Sequence, residues 1–276
     1  MKIGAHVTIE KGYVFALEKL AKMGGNCLQI FSTTPRGWRS ASLSQTQINN
    51  FLAKKKEYEI GPVFYHASYL INLGDFSSIG HLSKQSLEEE LNLASQTGIN
   101  GSIIHLGSFK LNAPDYQKLA DNISAVLEKT PPNTLFIIEN AGNKKIGNTL
   151  EEIGQIIKLV KNSRVKVCLD TCHLFSAGYD ISTKAKLDSL LKEFDKKIGL
   201  EKLEVWHVND SRDPFGSFRD RHENIGQGTL GLGAFETLLN HPQTKDYPFI
   251  TETPGFDGLG PDKENIDILK GLVKKS

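Results

Sequence analysis

The stretch Leu203–Gly228, with the sequence LEVWHVNDSRDPFGSFRDRHENIGQG, decides how the whole chain is interpreted. It begins as an apolar, β-rich run, becomes polar at His207, and continues through a loop to Asp220 and His222. Asp220 and His222 flank one residue, so in an extended segment their side chains fall on the same side. With His207 they supply donors that zinc and similar divalent ions bind. Alone, the stretch fits two interpretations equally well. One is a metal site, and the other is a hydrogen-bonded strand-end histidine followed by a solvated loop.

Length and composition indicate one compact globular domain over residues 1–276. The chain has 276 residues, of which 39% are hydrophobic and 24% charged, and this is enough to bury a sizeable core. The formal net charge is +1, which excludes a global positive field, so a polyanionic partner would need a local basic face.

The cysteines and the N-terminal residues indicate the compartment. Three cysteines, Cys27, Cys168 and Cys172, are too few for a disulfide framework and favour a reducing environment. Cys168 lies in an apolar run and is interpreted as a core residue, and no second cysteine pair completes a zinc ribbon. The opening MKIGAHV predicts a strand and not a signal peptide, and no apolar run is long enough to span a bilayer. A soluble, cytoplasmic protein is expected.

Short β-like runs alternate with amphipathic helical segments along the chain. The predicted strands are Lys2–Val7, Asn26–Phe31, Pro62–Ala67, Gly101–Leu106, Thr134–Asn140, Val165–Asp170, Leu203–Val208 and Pro248–Glu252. The predicted helices are Tyr13–Met23, Ser44–Tyr58, Leu82–Thr97, Pro114–Lys129, Leu150–Lys161, Lys184–Ile198, Gly233–Asn240 and Asp262–Lys274. Ser44 and Gln47 have the spacing of a capping box at the start of the second helix.

Eight β-α units without a linker predict an α/β fold, a single-domain (β/α)8 TIM barrel. Continuous apolar strands such as LFIIEN and VKVCLD are typical of a parallel sheet covered by helices. In such a barrel the functional residues lie at the C-terminal ends of the strands. A doubly wound open sheet is the alternative, but it usually carries a Gly-rich phosphate turn after its first strand, and Gly4-Ala-His-Val7 is not one.

Strong metal ligands stand at, or shortly after, the ends of six consecutive predicted strands. They are His66, His105, Glu139, Asp170, His173, His207, Asp220, His222 and Glu252. A lone strand-end histidine is more often a hydrogen-bonded structural residue, and a lone glutamate is often a salt-bridge partner. Their recurrence at one mouth of the barrel favours a metal centre at the C-terminal face of the strands.

The number of candidate ligands indicates more than one ion. A tetrahedral zinc takes three or four ligands, so nine suit two or three ions with a bridging carboxylate. Clustered cations repel one another, and an anionic substrate such as a phosphodiester would offset that repulsion. Two-metal sites typically activate water and stabilise the leaving oxygen of phosphodiesters.

The sequence resembles endonuclease IV, the zinc-dependent apurinic/apyrimidinic endonuclease family of DNA base-excision repair. The resemblance covers nearly the whole chain, and DTCH and DRHENIGQG at their separation are specific to the family. The matching motifs are Ile3-Gly-Ala-His-Val7, His66-Ala-Ser-Tyr-Leu-Ile-Asn-Leu73, His105-Leu-Gly-Ser108, Ile138-Glu-Asn140, Cys168-Leu-Asp-Thr-Cys-His173, His207-Val-Asn-Asp210, Asp220-Arg-His222, Gly226-Gln-Gly228 and Thr251-Glu-Thr253.

The resemblance implies three zinc ions, with manganese or iron as an alternative at one site. The implied ligands are His66, His105 and Glu139 for the first ion; the bridging Glu139 with Asp170, His207 and Glu252 for the second; and His173, Asp220 and His222 for the third.

The implied activity is hydrolysis of the phosphodiester bond 5′ to an abasic site in double-stranded DNA. A hydroxide shared by the first two ions would attack phosphorus, leaving a 3′-hydroxyl and a 5′ deoxyribose phosphate. Glu139, as the bridge, and Glu252, as a candidate acceptor of the water proton, are the expected catalytic residues. The enzyme is expected to act as a monomer.

The family also implies that loops after the second and third strands enter the duplex at the lesion. Here these loops carry Arg36, Tyr69 and Leu70, which suit a wedge that replaces a lost base. Without the resemblance, Arg36 would be an ordinary loop charge and Tyr69-Leu70 a core pair. A local basic face is predicted from the strand-end loop residues Arg36, Arg39, Lys110, Lys144, Lys145, Arg212, Arg219 and Arg221.

Two other functions remain open on residues alone. A metal-dependent sugar isomerase or epimerase of the xylose-isomerase-like type shares the predicted barrel, but typically has a carboxylate-rich site for one or two ions. A non-catalytic DNA-binding protein would not need so many ligands. Of the other histidines, His6 is expected to hydrogen-bond beneath the metals, and His81 and His241 to lie at the surface.

Overall fold

Eight parallel strands close into a barrel in the computed structural model, which describes residues 1–39, 41–109 and 113–274. The barrel strands are β1 Lys2–His6, β2 Leu28–Phe31, β3 Val63–His66, β4 Gly101–Ile104, β5 Leu135–Glu139, β6 Val165–Asp170, β7 Leu203–His207 and β10 Pro248–Thr251. Two short strands, β8 Asp210–Ser211 and β9 His222–Glu223, form a separate pair outside the barrel. Around the barrel the order is β1, β10, β7, β6, β5, β4, β3, β2, and β2 pairs with β1 to close it. The predicted TIM barrel is confirmed.

Helices follow the barrel strands along the chain. They are α1 Tyr13–Met23, α2 Gln45–Glu57, α3 Ser78–Thr97, α4 Tyr116–Glu128, α5 Leu150–Val160, α6 Thr171–Ala177, α7 Lys184–Lys197, α8 Leu232–Asn240 and α9 Lys263–Leu272. Ser44 and Gln47 form the predicted capping box at the start of α2. Over the described ranges, none of these helices combines the length and the apolar character that crossing a membrane requires.

Strand residues alternate between two apolar layers, as a period of two requires. One layer lies between the strands and the helices and contains the largest buried side chains, such as Trp206, Phe136 and Phe249. The second layer is a small separate cluster contributed by alternate residues of the barrel strands. Its members are Cys27, Phe64, Ile103, Ile137, Cys168, Val205 and Ile250, and we call this cluster the lumen plug. Because all barrel strands are parallel, the residues that follow the plug emerge at the same mouth.

The structure differs most from the predicted elements at three places. Helix α3 begins at Ser78, four residues before the predicted start at Leu82. Helix α6 was not predicted; it begins directly after β6, because the Asp170 side chain accepts a hydrogen bond from the His173 backbone N–H at 2.8 Å. The antiparallel pair β8–β9 brings Ser211 opposite His222 and was not predicted.

A buried carboxylate, Glu90 of α3, lies between this helix and the barrel. Its side chain accepts hydrogen bonds from the hydroxyls of Ser32 and Ser102. Burial raises the pKa of Glu90 to about 7 from an ordinary 4.5, although the two hydroxyl donors act in the opposite direction. Folding therefore favours the protonated form of this group.

The raised pKa of Glu90 predicts a pH dependence of stability. Its contribution to the free energy of unfolding is fully present below about pH 4.5 and is lost as pH rises through about 7, since the unfolded chain ionises first. The difference amounts to about 3 kcal/mol for a shift of this size. We expect Glu90→Gln to flatten the decline in stability between about pH 5 and 8, measured by urea unfolding of metal-free protein. Glu89→Gln, an exposed neighbour on the same helix, should keep the wild-type decline; identical slopes in both variants would contradict the assignment.

Candidate metal centre

The predicted ligands on the barrel strands lie directly above the lumen plug. Because side chains on one face recur every second residue, Phe64 is followed by His66, Ile137 by Glu139 and Cys168 by Asp170. His105, His207 and Glu252 follow Ile103, Val205 and Ile250 in the same way. The apolar plug thus closes the barrel below a layer of imidazoles and carboxylates.

The structure brings together all nine side chains that the sequence predicted as ligands. They form three groups, within each of which the ligand atoms lie within 4.8 Å of one another. The groups are His66, His105 and Glu139; Glu139, Asp170, His207 and Glu252; and His173, Asp220 and His222. These groups coincide with the three ligand sets that the resemblance implies, while ion binding by them stays a prediction.

Glu139 is the residue shared by the first two groups. Its Oε2 lies 3.2 Å from His66 Nε2 and 3.3 Å from His105 Nε2. Its Oε1 lies 3.0 Å from His207 Nδ1 and 3.3 Å from His173 Nδ1. The two oxygens therefore face different sets of imidazoles, which is the geometry of a bridging carboxylate.

The third group joins the short helix α6, which carries His173, to Asp220 in the loop between β8 and β9 and to His222 in β9. His173 Nε2 lies 2.8 Å from Asp220 Oδ1 and 3.4 Å from His222 Nε2. His222 Nε2 also lies 3.6 Å from Asp170 Oδ2. This group is more open than the others, because the Asp220 side chain is 33% exposed whereas that of Glu139 is fully buried.

Asp210 fixes the loop that follows β9. Its Oδ1 accepts hydrogen bonds from the backbone N–H of Ser211 at 2.8 Å and of Leu230 at 3.0 Å, and its Oδ2 accepts from Gly226 N–H at 3.0 Å. A Cβ at Gly228 would lie 2.4 Å from Asp210 Oδ1, so glycine is required for this approach. The motif Gly226-Gln-Gly228 thus completes the scaffold that supports His222.

The donor set fits divalent zinc. His66 Nδ1 lies 2.8 Å from the Ala67 carbonyl oxygen, and His173 Nδ1 lies 2.9 Å from the Asn140 carbonyl oxygen. A carbonyl oxygen only accepts, so each Nδ1 carries the hydrogen, and Nε2 of the neutral ring presents its lone pair to the group. Imidazole nitrogens, together with carboxylate oxygens, are ligands that zinc prefers.

The imidazoles and carboxylates of the site shift one another's pKa in opposite directions. Burial alone would raise the pKa of Glu139, but the surrounding imidazoles, His105 and His207 foremost, hold that pKa well below its usual range. Burial alone would lower the pKa of His173, but Asp170 and Asp220 raise it well above the usual imidazole value. A divalent cation would replace the imidazolium protons, so metal binding is coupled to proton release.

Two asparagines orient the ligands and were not predicted. Asn209 Oδ1 accepts from the Glu252 backbone N–H at 2.7 Å, and Asn209 Nδ2 donates to Asp170 Oδ2 at 2.6 Å. Asn140 Oδ1 accepts from the Asp170 backbone N–H at 2.6 Å. Both follow a predicted ligand within two residues, in His207-Val-Asn209 and Glu139-Asn140, and this adjacency was the available signal.

The remaining cysteine and histidine predictions have mixed outcomes. Cys168 is a fully buried core residue, as predicted, and burial raises the pKa of the Cys172 thiol to about 12, although this thiol also lies near Asp170 and His222. His6 Nδ1 lies 2.7 Å from Gln29 Nε2 and 3.4 Å from Glu252 Oε1, and His81 is exposed. The prediction for His241 is wrong. This residue is buried, because its Nε2 pairs with Asp188 Oδ1 of α7 at 2.7 Å.

Tyr69 and Arg36 lie on two loops that are hydrogen-bonded to each other at the mouth. The Pro35 carbonyl accepts from the Tyr69 backbone N–H at 2.9 Å and from Ser68 Oγ at 3.1 Å. Tyr69 is 63% exposed, and Arg36 is exposed beside Pro35. Leu70 is half-buried.

A polar cavity of about 290 Å³ opens beside these loops. It is lined by His66, Tyr69, His105, His173, Asp220, His222 and Glu252. Six of these residues are predicted metal ligands, so the cavity and the candidate metal centre are one site.

The predicted basic residues divide into two sets. The first set, Arg212, Arg219 and Arg221, is exposed but forms ion pairs. Arg212 pairs with Glu223 at 3.1 Å, Arg221 pairs with Asp213 at 2.7 Å, and Arg219 pairs with Asp213 at 3.6 Å. Lys110 lies outside the described residues. The second set consists of the other exposed residues, Arg36, Arg39, Lys144 and Lys145.

The barrel and its polar mouth define a xylose isomerase-like TIM barrel, and the model of that family matches residues 17–272. The chain is 38% identical to a probable endonuclease 4 from Sulfurihydrogenibium sp. strain YO3AOP1, over 99% of this chain and 100% of that protein. It therefore belongs to the endonuclease IV family. The crystal structure of endonuclease IV from Thermus thermophilus superposes with a TM-score of 0.87 at 30% identity, covering 99% of this chain and 98% of that one.

A more distant likeness shows the shared fold alone. The 3-keto-D-glucoside 4-epimerase from E. coli superposes with a TM-score of 0.68 at 18% identity, covering 99% of this chain and 98% of that one.

Gly142 packs directly against His173 and leaves no room for a larger side chain. A Cβ there would lie 2.8 Å from His173 Cδ2 and 2.9 Å from His173 Cα, so Gly142→Ala must displace helix α6 or its histidine. We expect a loss of about 1–3 kcal/mol in stability from overpacking, and weaker binding of one zinc equivalent. Thermal unfolding and metal analysis measure both. Gly271→Ala, which enters open space on α9, is the control; wild-type metal binding in Gly142→Ala would contradict the prediction.

Proposed function

We propose that this chain is a zinc-dependent endonuclease that hydrolyses the phosphodiester bond 5′ to abasic sites in double-stranded DNA, leaving a 3′-hydroxyl and a 5′ deoxyribose phosphate. Membership of the endonuclease IV family supports the activity. The arrangement of nine nitrogen and carboxylate donors in three groups supports three ions, and the share of imidazoles among them favours zinc.

The observation that carries the proposal is the placement of Glu139. Its two oxygens face two separate groups of imidazoles, with nearest distances of 3.2 Å to His66 and 3.0 Å to His207. A carboxylate shared in this way would hold neighbouring cations at a fixed separation. When bound, such ions lower the pKa of water and polarise a phosphoryl oxygen.

The residues of the chain bind and orient what enters the mouth. Glu252, whose side chain is 15% exposed and lines the cavity, is the candidate acceptor of the water proton. Its Oε2 lies 3.2 Å from His207 Nδ1, so its orientation is fixed by the group it belongs to. The lumen plug below excludes water from the opposite side of the site.

Duplex DNA would be held by the loops of the mouth. Tyr69 and Arg36, on loops joined through Pro35, are placed to occupy the gap left by a missing base. The second set of basic residues around the mouth would contact phosphates, and such contacts position a duplex without reading its sequence. All nine candidate ligands belong to one chain, which supports a monomer as the active unit.

The alternative function is that of a sugar isomerase or epimerase on the same barrel. The histidine-rich third group, with the Asp220-Arg-His222 pair, favours the endonuclease, since typical isomerase sites are richer in carboxylates. Purified protein is therefore tested on a duplex with a single abasic site and, in parallel, on a panel of aldoses and ketoses. Sugar turnover without incision would overturn the proposal.

The metal content and Glu139→Gln test the proposed centre together. We expect close to three zinc equivalents in wild-type protein, and the loss of at least one in Glu139→Gln, because removal of the charge leaves neighbouring cations less well neutralised. Incision should fall by several orders of magnitude, on the order of 10²–10⁴-fold or more, while DNA affinity survives better. Glu204→Gln, at the opposite end of β7, is the control. One ion or none in active wild-type protein would rule out the trinuclear centre, and full metal with normal turnover in Glu139→Gln would exclude the bridge.

Tyr69→Ala and Arg36→Ala test the wedge. Each should weaken binding to abasic duplex with unchanged zinc content, and for Tyr69→Ala the loss should be about 1–3 kcal/mol, the usual contribution of one stacked aromatic contact. Fluorescence anisotropy at matched salt measures the affinity, because phosphate contacts are salt-dependent. Lys192→Ala, on the exposed face of α7, serves as the control. Wild-type affinity in both mouth variants would show that the duplex does not use these loops.

A further inference from the structure

Gln29 is a fully buried polar residue in the otherwise apolar strand β2. It stands two residues after Cys27, a member of the lumen plug. On β3, β5, β6, β7 and β10 the residue two positions after the plug is a candidate metal ligand. Gln29 therefore occupies, on β2, the position that holds ligands on those strands. A neutral amide there needs partners, since a buried amide without hydrogen bonds destabilises the fold.

The amide of Gln29 contacts the second group of candidate ligands. Its Oε1 lies 2.7 Å from His207 Nε2, and its Nε2 lies 2.5 Å from Glu252 Oε1. The same Nε2 lies 2.7 Å from His6 Nδ1. Only one orientation of the amide satisfies these contacts, because the reverse orientation would place two acceptor oxygens against each other at Glu252.

The contact with His207 selects its tautomer. An amide oxygen only accepts, so His207 Nε2 carries the hydrogen. In the neutral ring Nδ1 then has a free lone pair, and it points to Glu139 Oε1 at 3.0 Å and Glu252 Oε2 at 3.2 Å. Partners of this kind orient metal-binding imidazoles and increase their basicity.

The contact with Glu252 fixes the rotation of its carboxylate. Oε1 is held by the Gln29 amide, and Oε2 is left facing His207. Gln29 therefore positions two members of one ligand group at once, from a strand that contributes no ligand itself.

We propose that Gln29 is a positioning residue for the ion held by Glu139, Asp170, His207 and Glu252, and that it sets the affinity of this ion. This inference rests on the proposed function, because it assumes that the group binds an ion.

Gln29→Met tests the proposal, since methionine has a similar length and apolar packing but no amide. We expect one zinc equivalent to bind roughly 10–100-fold more weakly, the usual effect of losing an orienting partner. Competition with a chromophoric chelator measures the affinity of each equivalent. Incision of abasic duplex should recover when free zinc is raised, which a defect in packing alone would not allow. Thr244→Val, which changes another buried polar residue, in the loop between α8 and β10, is the control.

Each outcome of this titration either supports or overturns the proposed role of Gln29. Wild-type affinity for every equivalent in folded Gln29→Met would overturn the proposal, as would lost incision that added zinc does not restore. Should Gln29→Met not fold, Gln29→Asn, whose amide is one methylene too short for both contacts, takes its place in the same titration. If neither variant folds, Gln29 has a structural role and the proposal fails. A wild-type protein that binds no zinc would instead count against the proposed function.

Discussion

The carboxylate of Glu139, buried at the centre of the barrel mouth, is the constraint on which the site depends. An ionised carboxylate loses several kcal/mol of hydration when it is buried, so charged or hydrogen-bonding partners must surround it. Here four imidazoles approach its two oxygens, at distances from 3.0 to 3.3 Å. Those imidazoles come from β3, β7, α6 and the residue after β4. The Glu139 carboxylate therefore contacts four segments of the chain at once.

The barrel makes this arrangement possible by its period of two. Each strand that supplies a ligand first supplies an apolar residue to the lumen plug, and both side chains belong to the same face. The plug residues are fully buried, and because protein interiors are closely packed, the ligands above them cannot move inward. Sites built on strands in this way hold their geometry more closely than sites built on loops.

Much of the site could be predicted from the sequence because its ligands lie at strand ends, which apolar runs reveal. His66, Glu139 and Asp170 directly follow such runs, and their chemistry is evident from residue type. Helix α6 escaped prediction because its start depends on a cap by Asp170, a residue whose position had already been assigned to a strand end. Gln29 and Asn209 escaped because their role exists only across strands, in contacts between residues 178 and 43 positions apart. The burial of His241 depends likewise on a partner from another helix, Asp188.

The three groups differ in how they are supported, and this difference has a consequence for function. The second group, Glu139, Asp170, His207 and Glu252, lies at the ends of barrel strands, and its side chains are at most 15% exposed. By contrast, Asp220, in the loop between β8 and β9, and His222, in β9, are 33% and 18% exposed. The exposed side of the site also carries Tyr69, which borders the same cavity. A phosphodiester entering the mouth would therefore meet the more exposed third group and Tyr69 first, with the buried second group beneath it. In the proposed reaction, the more exposed part of the site faces the substrate, and the buried carboxylates Glu139 and Asp170 help to hold the ions that activate water.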